Sequence, residues 1–359
     1  MTRRFPVSSS LAVTVAVFAC LVARRNSAQN NDLNVQFHGF QDSRGVTVLS
    51  PTVDLSQDFT DRTSLRVSFG VDAISAASDS CARCHRQGVR SRRQEGGLSM
   101  TRKFDDLKFT IGAAFSQENF YRATTGLTSM SRDLANGNAT VAAGFSFSFN
   151  QPTLHPLPDR ENQYASSAYA SITQTLTKTT IAQAGYEVGK IAGYQDNPFL
   201  RASVNGIMVL GQVPDTRTRQ TVTARIRQAL PAQTFIEADY RHYFDDWQLR
   251  SNTLSVGVSH RFSEQWLLNV SYRRNEQTGA SFYQPQYVGA IPQFFTADFR
   301  LAPFNSDNYT GRLVVTPKGQ LLGLPAGTGL TVQYDRYRAD NGFEAAIIST
   351  GLRVPLKLR

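Results

Sequence analysis

Beyond residue 30 the chain alternates. Leu107, Phe109, Ile111, Ala113 and Phe115 fall at one parity, with Lys108, Thr110, Gly112, Ala114 and Ser116 between them. The same period of two runs through Ala139, Val141, Ala143, Phe145, Phe147 and Phe149, through Leu65, Val67, Phe69 and Val71, and through Leu254, Val256 and Val258. Successive side chains of a strand point to opposite faces, so each run predicts a strand with one apolar face and one small or polar face. No later segment is apolar for long enough to cross a bilayer as a helix, and none has a convincing helical period.

Sixteen strands are expected, over 33–43, 46–59, 64–78, 95–104, 107–121, 124–134, 138–150, 164–177, 179–194, 218–230, 234–249, 251–263, 266–284, 294–316, 329–340 and 343–357. Tight turns at 60–62, 104–106, 136–137, 178, 231–232 and 263–264 interleave with longer connections at 79–94, 151–163, 195–217 and 285–293. A further long turn is expected at 317–328. An even strand number with alternating short and long connections fits a single closed antiparallel transmembrane β-barrel of the bacterial outer membrane, all-β, with both termini on the periplasmic side. A soluble β-sandwich would show the same alternation, so periodicity does not decide between them.

The first 28 residues add weight to the membrane. Arg3 and Arg4 precede the apolar run Leu11–Ala23, which is too short to span a bilayer and reads as a cleaved export signal. The expected organisation is therefore a signal peptide over 1–28 and a barrel over 29–359, with outer-membrane lipid as its surroundings. Only 18% of the chain is charged, against about 25% for ordinary soluble domains. Loss of the signal removes four arginines and no acids, which reduces the net charge from +10 to +6. That excess is too small and too scattered to suggest a nucleic-acid partner.

Parity also assigns the charges. Arg225, Arg227, Glu237, Asp239, Arg241, Asp245, Arg261 and Arg273 share the polar face and are expected to line the lumen, where opposite charges on neighbouring strands can pair. His242 and His260 share the lipid-facing parity. No Ser-His-Asp arrangement, phosphate loop or catalytic carboxylate pair stands out.

One motif carries chemistry. Cys81-Ala82-Arg83-Cys84-His85 matches the attachment pattern of a c-type haem, in which two thiols bind the vinyl groups and the histidine binds iron. On this reading the 79–94 loop holds one covalent haem c through Cys81, Cys84 and His85. The sixth iron ligand is drawn from His155, His38 or Met208, or the sixth site is open to a small ligand. A local disulfide, part of a zinc site, or a loop with no such role are the competing readings. Arg83, Arg86, Arg90, Arg92 and Arg93 crowd the same loop and could meet haem propionates, lipopolysaccharide or an anionic donor.

Several stretches resemble a known family. Val71–Ser78, Gly193–Phe199, Pro214–Arg217, Asp239–Trp247, Tyr272–Arg274 and Ala280–Tyr283 occur in order and are similar to a bacterial outer-membrane β-barrel family of unknown function. That resemblance implies the barrel and little chemistry. The haem-type motif after Ser78 departs from it. A second, functional resemblance is to single-haem cytochrome–porin proteins, although in those the haem segment precedes the barrel and here it interrupts it. The two together imply an outer-membrane cytochrome-porin that transfers electrons, with a periplasmic cytochrome and an extracellular redox partner or metal. The alternative is a non-redox porin-like or structural barrel with a disulfide in the 79–94 loop.

Overall fold

The computed structural model describes residues 31–76, 89–153, 160–197 and 199–356, so the expected export signal lies outside the described residues. The strands are β1 (Asn31–Asp42), β2 (Val46–Thr60), β3 (Thr63–Ala76), β4 (Val89–Phe104), β5 (Leu107–Gln117), β6 (Tyr121–Leu134), β7 (Ala139–Pro152), β8 (Gln163–Thr175) and β9 (Thr180–Gly193). A short hairpin, β10 (Arg201–Val204) and β11 (Ile207–Leu210), follows. The chain continues with β12 (Thr216–Leu230), β13 (Thr234–Asp245), β14 (Arg250–Arg261), β15 (Trp266–Gln277), β16 (Phe304–Val315), β17 (Gly329–Ala339) and β18 (Glu344–Leu356).

Sixteen strands, all but the β10–β11 pair, form one closed antiparallel barrel. Each pairs with its neighbour in sequence, and β1 closes on β18 from Asn31 opposite Leu356 to Asp42 opposite Ala345. Closure leaves no strand edge, which hydrocarbon would not tolerate. No helix among the described residues is long and apolar enough to cross a membrane.

The two faces differ as the alternation requires. Phe109, Ile111, Phe115, Phe145, Phe147, Leu254, Val256 and Val258 stand exposed on the outer wall. A band of this kind is the lipid contact of an outer-membrane barrel, and in water it would be an aggregation surface. The inner wall carries cross-strand hydroxyl pairs, including Thr101 with Thr110 at 2.8 Å, Thr125 with Ser148 at 2.8 Å and Ser146 with Ser167 at 2.9 Å. Tyr169 lies across Gly144, its register partner, and a Cβ at Gly144 would overlap the ring. Both clusters of buried apolar side chains among the described residues sit in or beside connections at one end, so no dry core lies between sheets.

Most long connections gather at the end opposite the termini. One end carries both barrel termini and the turns 61–62, 105–106, 135–138, 176–179, 231–233 and 262–265, with 316–328 the longest there. Asn136 and Gly137 adopt left-handed φ values of 56° and 85° in one of these turns, a conformation that this pair accepts at little cost. The other end carries the long connections 77–88, 153–162, 194–215 and 278–303 and the short turns 43–45, 118–120, 246–249 and 340–343. Outer-membrane barrels place termini and short turns in the periplasm, so the long connections face outward.

Three boundaries differ from those expected. β4 begins at Val89 because Ala73 to Ala76 pair with Val89 to Arg92, which draws part of the basic loop into the wall. β15 and β16 end at Gln277 and begin at Phe304, so 278–303 is one long connection. Segment 195–217 contains the β10–β11 hairpin, turned by Asn205-Gly206.

The register makes a direct prediction. Val256→Arg, on the lipid face near mid-strand, should lower the unfolding free energy in a bilayer by about 2–4 kcal/mol. Ser255→Arg, one residue away on the lumen face, should change it by much less. Denaturant titration of the barrel in lipid vesicles measures both.

Candidate functional site: the lumen and its outer cover

Polar parity places a ladder of charges on the inner wall. Arg225 pairs with Asp239 and Arg227 with Glu237 across β12 and β13, each directly opposite its partner in register. Arg66 meets Asp54 at 2.8 Å, and Arg353 meets Asp32 at 2.8 Å. Arg93 reaches Asp72 at 2.7 Å and Glu95 at 3.3 Å, so this member of the expected basic loop belongs to the lumen wall. Exposed pairs of this kind contribute only about 0–1 kcal/mol each. Their consequence is electrostatic, since they neutralise Asp32, Asp54, Asp72, Glu95, Glu237 and Asp239.

The larger cavity occupies 1380 Å³ on the β12–β18 and β1 side. Arg225, Arg227, Glu237, Asp239, Arg241, Arg261 and Arg273 all line it, which matches their expected parity. A smaller cavity of 370 Å³ lies against the wall built by β2 to β6, which is lined mainly by small residues such as Ser68, Gly97, Ala114 and Thr125.

At the outer end the wall is locked by Asp245, whose side chain is fully buried. It accepts Arg217 Nε at 2.9 Å, the Tyr243 hydroxyl at 2.7 Å and the Leu249 amide at 3.0 Å. The Arg217 guanidinium lies 4.3 Å from the centre of the Trp247 ring, and Trp247 Nε1 donates to the Thr216 carbonyl at 3.0 Å. Trp247 and Leu249 then pack with Ala280 and Leu301 of the 278–303 connection. Asp239–Trp247 thus supplies a lumen carboxylate at one end and a loop anchor at the other.

The two longest connections join over the mouth. Ala202 and Val204 of the hairpin bury against Tyr287 and Phe295. The Tyr287 hydroxyl accepts the amides of Gln284 at 3.1 Å and Thr296 at 2.9 Å and donates to the Phe282 carbonyl at 2.8 Å. Phe199 meets Phe120 of the β5–β6 turn edge-on at 5.0 Å. On the other flank, Arg44 of the β1–β2 turn lies 3.7 Å over Phe299. The cover therefore reaches from one side of the rim to the other.

Asp196 sits inside this joint. One carboxylate oxygen accepts the Thr296 hydroxyl at 3.3 Å, and the other is buried with no hydrogen-bond partner. Burial pushes its pKa up from 3.8 to about 6, with the Asn197 amide and Thr296 opposing that rise. The sequence signals for the joint were modest. Asn205-Gly206 between two four-residue strands marks the hairpin, but nothing local marks Tyr287 or Asp196 as buried.

A family model described as "Protein of unknown function (DUF3570)" matches residues 155–344. That range includes Gly193–Phe199, Pro214–Arg217, Asp239–Trp247, Tyr272–Arg274 and Ala280–Tyr283, and leaves Val71–Ser78 outside. No curated protein matches the chain. Among solved structures, a bacterial polysaccharide outer membrane secretin is similar over 92% of this chain and 100% of its own, at 10% identity and a TM-score of 0.52. The outer membrane protein opdK of Pseudomonas aeruginosa is similar over 91% and 98%, at 7% identity and a TM-score of 0.49. The siderophore receptor PirA of the same organism is similar over 88% of this chain and 56% of its own, at 13% identity and a TM-score of 0.44. The likeness to the secretin shows the barrel fold alone.

The cytochrome reading is corrected here. The secretin is an outer-membrane protein and is not named as a cytochrome, and no group of three His, Cys, Asp or Glu side chains among the described residues could hold a metal ion. The covalent haem c, electron transfer, the periplasmic cytochrome and the extracellular redox partner are withdrawn. Cys81, Cys84, His85 and His155 lie outside the described residues. The other two candidate ligands are not brought together. His38 is on the inner wall with Nδ1 2.8 Å from Ser349 Oγ and Nε2 3.3 Å from Gln36, whereas Met208 is exposed on the β10–β11 hairpin. His242 and His260 hydrogen-bond Asn252 and Thr234 on the outer wall, as their parity implies.

Two outcomes follow from this geometry. Asp245→Ala leaves the Arg217 charge buried without its carboxylate and should destabilise the barrel by about 3–5 kcal/mol, while Asp239→Ala, at an exposed pair, should cost under about 1 kcal/mol. Denaturant titration in vesicles compares them. Asp196 binds its proton more tightly in the closed cover than in an open one. The cover should therefore be firmest below about pH 4 and loosen as pH rises towards about 6, with no further change above. Hydrogen-exchange protection of residues 201–210 should follow that course and lose it in Asp196→Asn.

Proposed function

This chain belongs to the family described as protein of unknown function (DUF3570), and we propose that it is a porin-like barrel through which small water-soluble solutes cross the outer membrane without redox chemistry. One observation carries the reading. The inward side chains of Arg225 and Arg227 are 50% and 57% exposed although they lie inside a closed barrel. Charges that keep this much contact with water face a solvent-filled space and not a packed interior. Sixteen strands give a barrel wide enough for an aqueous channel, and the 1380 Å³ cavity lies along the same wall.

Residues 1–28 act in this reading as the cleaved export signal, and 29–359 as the barrel. Cys81 and Cys84 are joined as a local disulfide in the β3–β4 connection, as the oxidising compartment favours. The outer band binds lipid. The joined connections 194–215 and 278–303 narrow the entrance from outside.

Purified barrel inserted into a planar lipid bilayer should give discrete conductance steps. Deleting residues 201–210 should enlarge each step, because that hairpin forms part of the cover. A barrel that inserts folded and conducts in neither form would contradict the channel and favour a structural role.

A further inference from the structure

The lumen charges are unequal in a way that their number alone conceals. Five arginines and three carboxylates line the larger cavity. Two of the carboxylates, Glu237 and Asp239, are held by Arg227 and Arg225. The third, Asp335, accepts hydrogen bonds from Thr310 and Gln333. On the facing wall, Asp54 and Glu95 are met by Arg66 and Arg93. Arg241, Arg261 and Arg273 have no ion pair among the described residues. Arg273 donates to the Ser255 hydroxyl at 3.2 Å, and Arg241 lies 5.7 Å from the Tyr243 ring.

Register spaces these three along the wall. Arg273 stands opposite Ser255 and Asn308, and Arg241, one pleat level nearer the mouth, stands opposite Thr223 and Thr253. Arg261 stands opposite Leu267 near the periplasmic end of β14. Arg312 occupies a level between Arg261 and Arg273, with Asn269 and Gln333 beside it, and also has no ion pair among the described residues. Inward positions recur every second residue, about 6.6–6.8 Å apart along a strand. Free guanidinium groups therefore recur from the periplasmic end to the outer half of the lumen, each flanked mainly by neutral neighbours.

Building on the channel reading, we infer that this lumen selects small anions over cations, with Arg241, Arg261 and Arg273 as the residues that confer the preference. A guanidinium offers a planar pair of donors that matches both oxygens of a carboxylate, and it keeps its charge at every physiological pH. Several weakly hydrated cationic stations along one wall let an anion pass from one to the next without a single deep trap. Glu187 and Asp335 are opposing features, since Asp335 also has no ion pair among the described residues. Glu187 projects into the lumen opposite Tyr169 and Thr221, without an ion pair among the described residues.

The test is the reversal potential of the bilayer-inserted barrel under a potassium acetate gradient at low salt, where screening extends over tens of ångströms. The wild-type channel should favour acetate over potassium by about fivefold, the factor that one charge at contact distance gives in a water-like dielectric. Arg241→Gln, Arg261→Gln and Arg273→Gln together should bring the ratio close to one without abolishing conductance. Glu187→Gln should raise it. These side chains face water, and heat-modifiable migration on a gel confirms that each variant is folded. Conductance that is non-selective or cation-selective in the wild type, or a ratio unchanged in the triple variant, overturns the inference and leaves the channel standing. Loss of all conductance in a folded wild-type barrel overturns the channel and this inference with it.

Discussion

Hydrocarbon offers no partner to a backbone N–H or C=O, and the molecule is arranged around that constraint. An open sheet would leave two edges unpaired in lipid at several kcal/mol per group. The contact between β1 and β18, continuous over twelve residue pairs, removes both edges. Once the sheet is closed, the pleat leaves each side chain only two directions, towards lipid or towards the lumen. Apolar residues take the first and small, hydroxylic or charged residues take the second.

This division explains where the charges are and what they do. An arginine at mid-membrane is tolerable only on the inner wall, so the wet lumen gathers the charged groups of the strands. Most lumen carboxylates meet an arginine across a strand boundary, while some arginines meet none. The outer end works differently. There Arg217, Asp245 and Trp247 are withdrawn from water and tie the β12–β13–β14 corner to the 278–303 connection, while Tyr287 and Asp196 tie that connection to the β10–β11 hairpin. The stretches Gly193–Phe199 and Ala280–Tyr283 and the end of Asp239–Trp247 lie at these joints.

The barrel was legible because alternation is local. Phe145, Phe147 and Phe149 reveal their face from sequence spacing alone, and the inward direction of Arg225, Glu237 and Arg273 follows from the same parity. The cover was not legible, because it depends on contacts between residues about eighty positions apart, such as Asn205 with Gly289 and Val204 with Tyr287. Strand ends failed for a related reason. Residues 278–284 continue an extended pattern, yet Ala280 turns to Leu301 and Trp247 instead of a neighbouring strand. The motif Cys81–His85 had a specific chemical meaning that the rest of the molecule does not support, since a five-residue pattern says nothing about the pocket and second ligand that a haem requires.

The central claim is a closed barrel with lipid on one face of every strand and water on the other. Single cysteines placed along β14, in a background where Cys81 and Cys84 are serine, test it most directly in intact outer membranes. A water-soluble maleimide should label positions 253, 255, 257 and 259 and spare 254, 256 and 258. Labelling of the even positions would place the register one residue out, and failure to label either set would mean that no water reaches the interior.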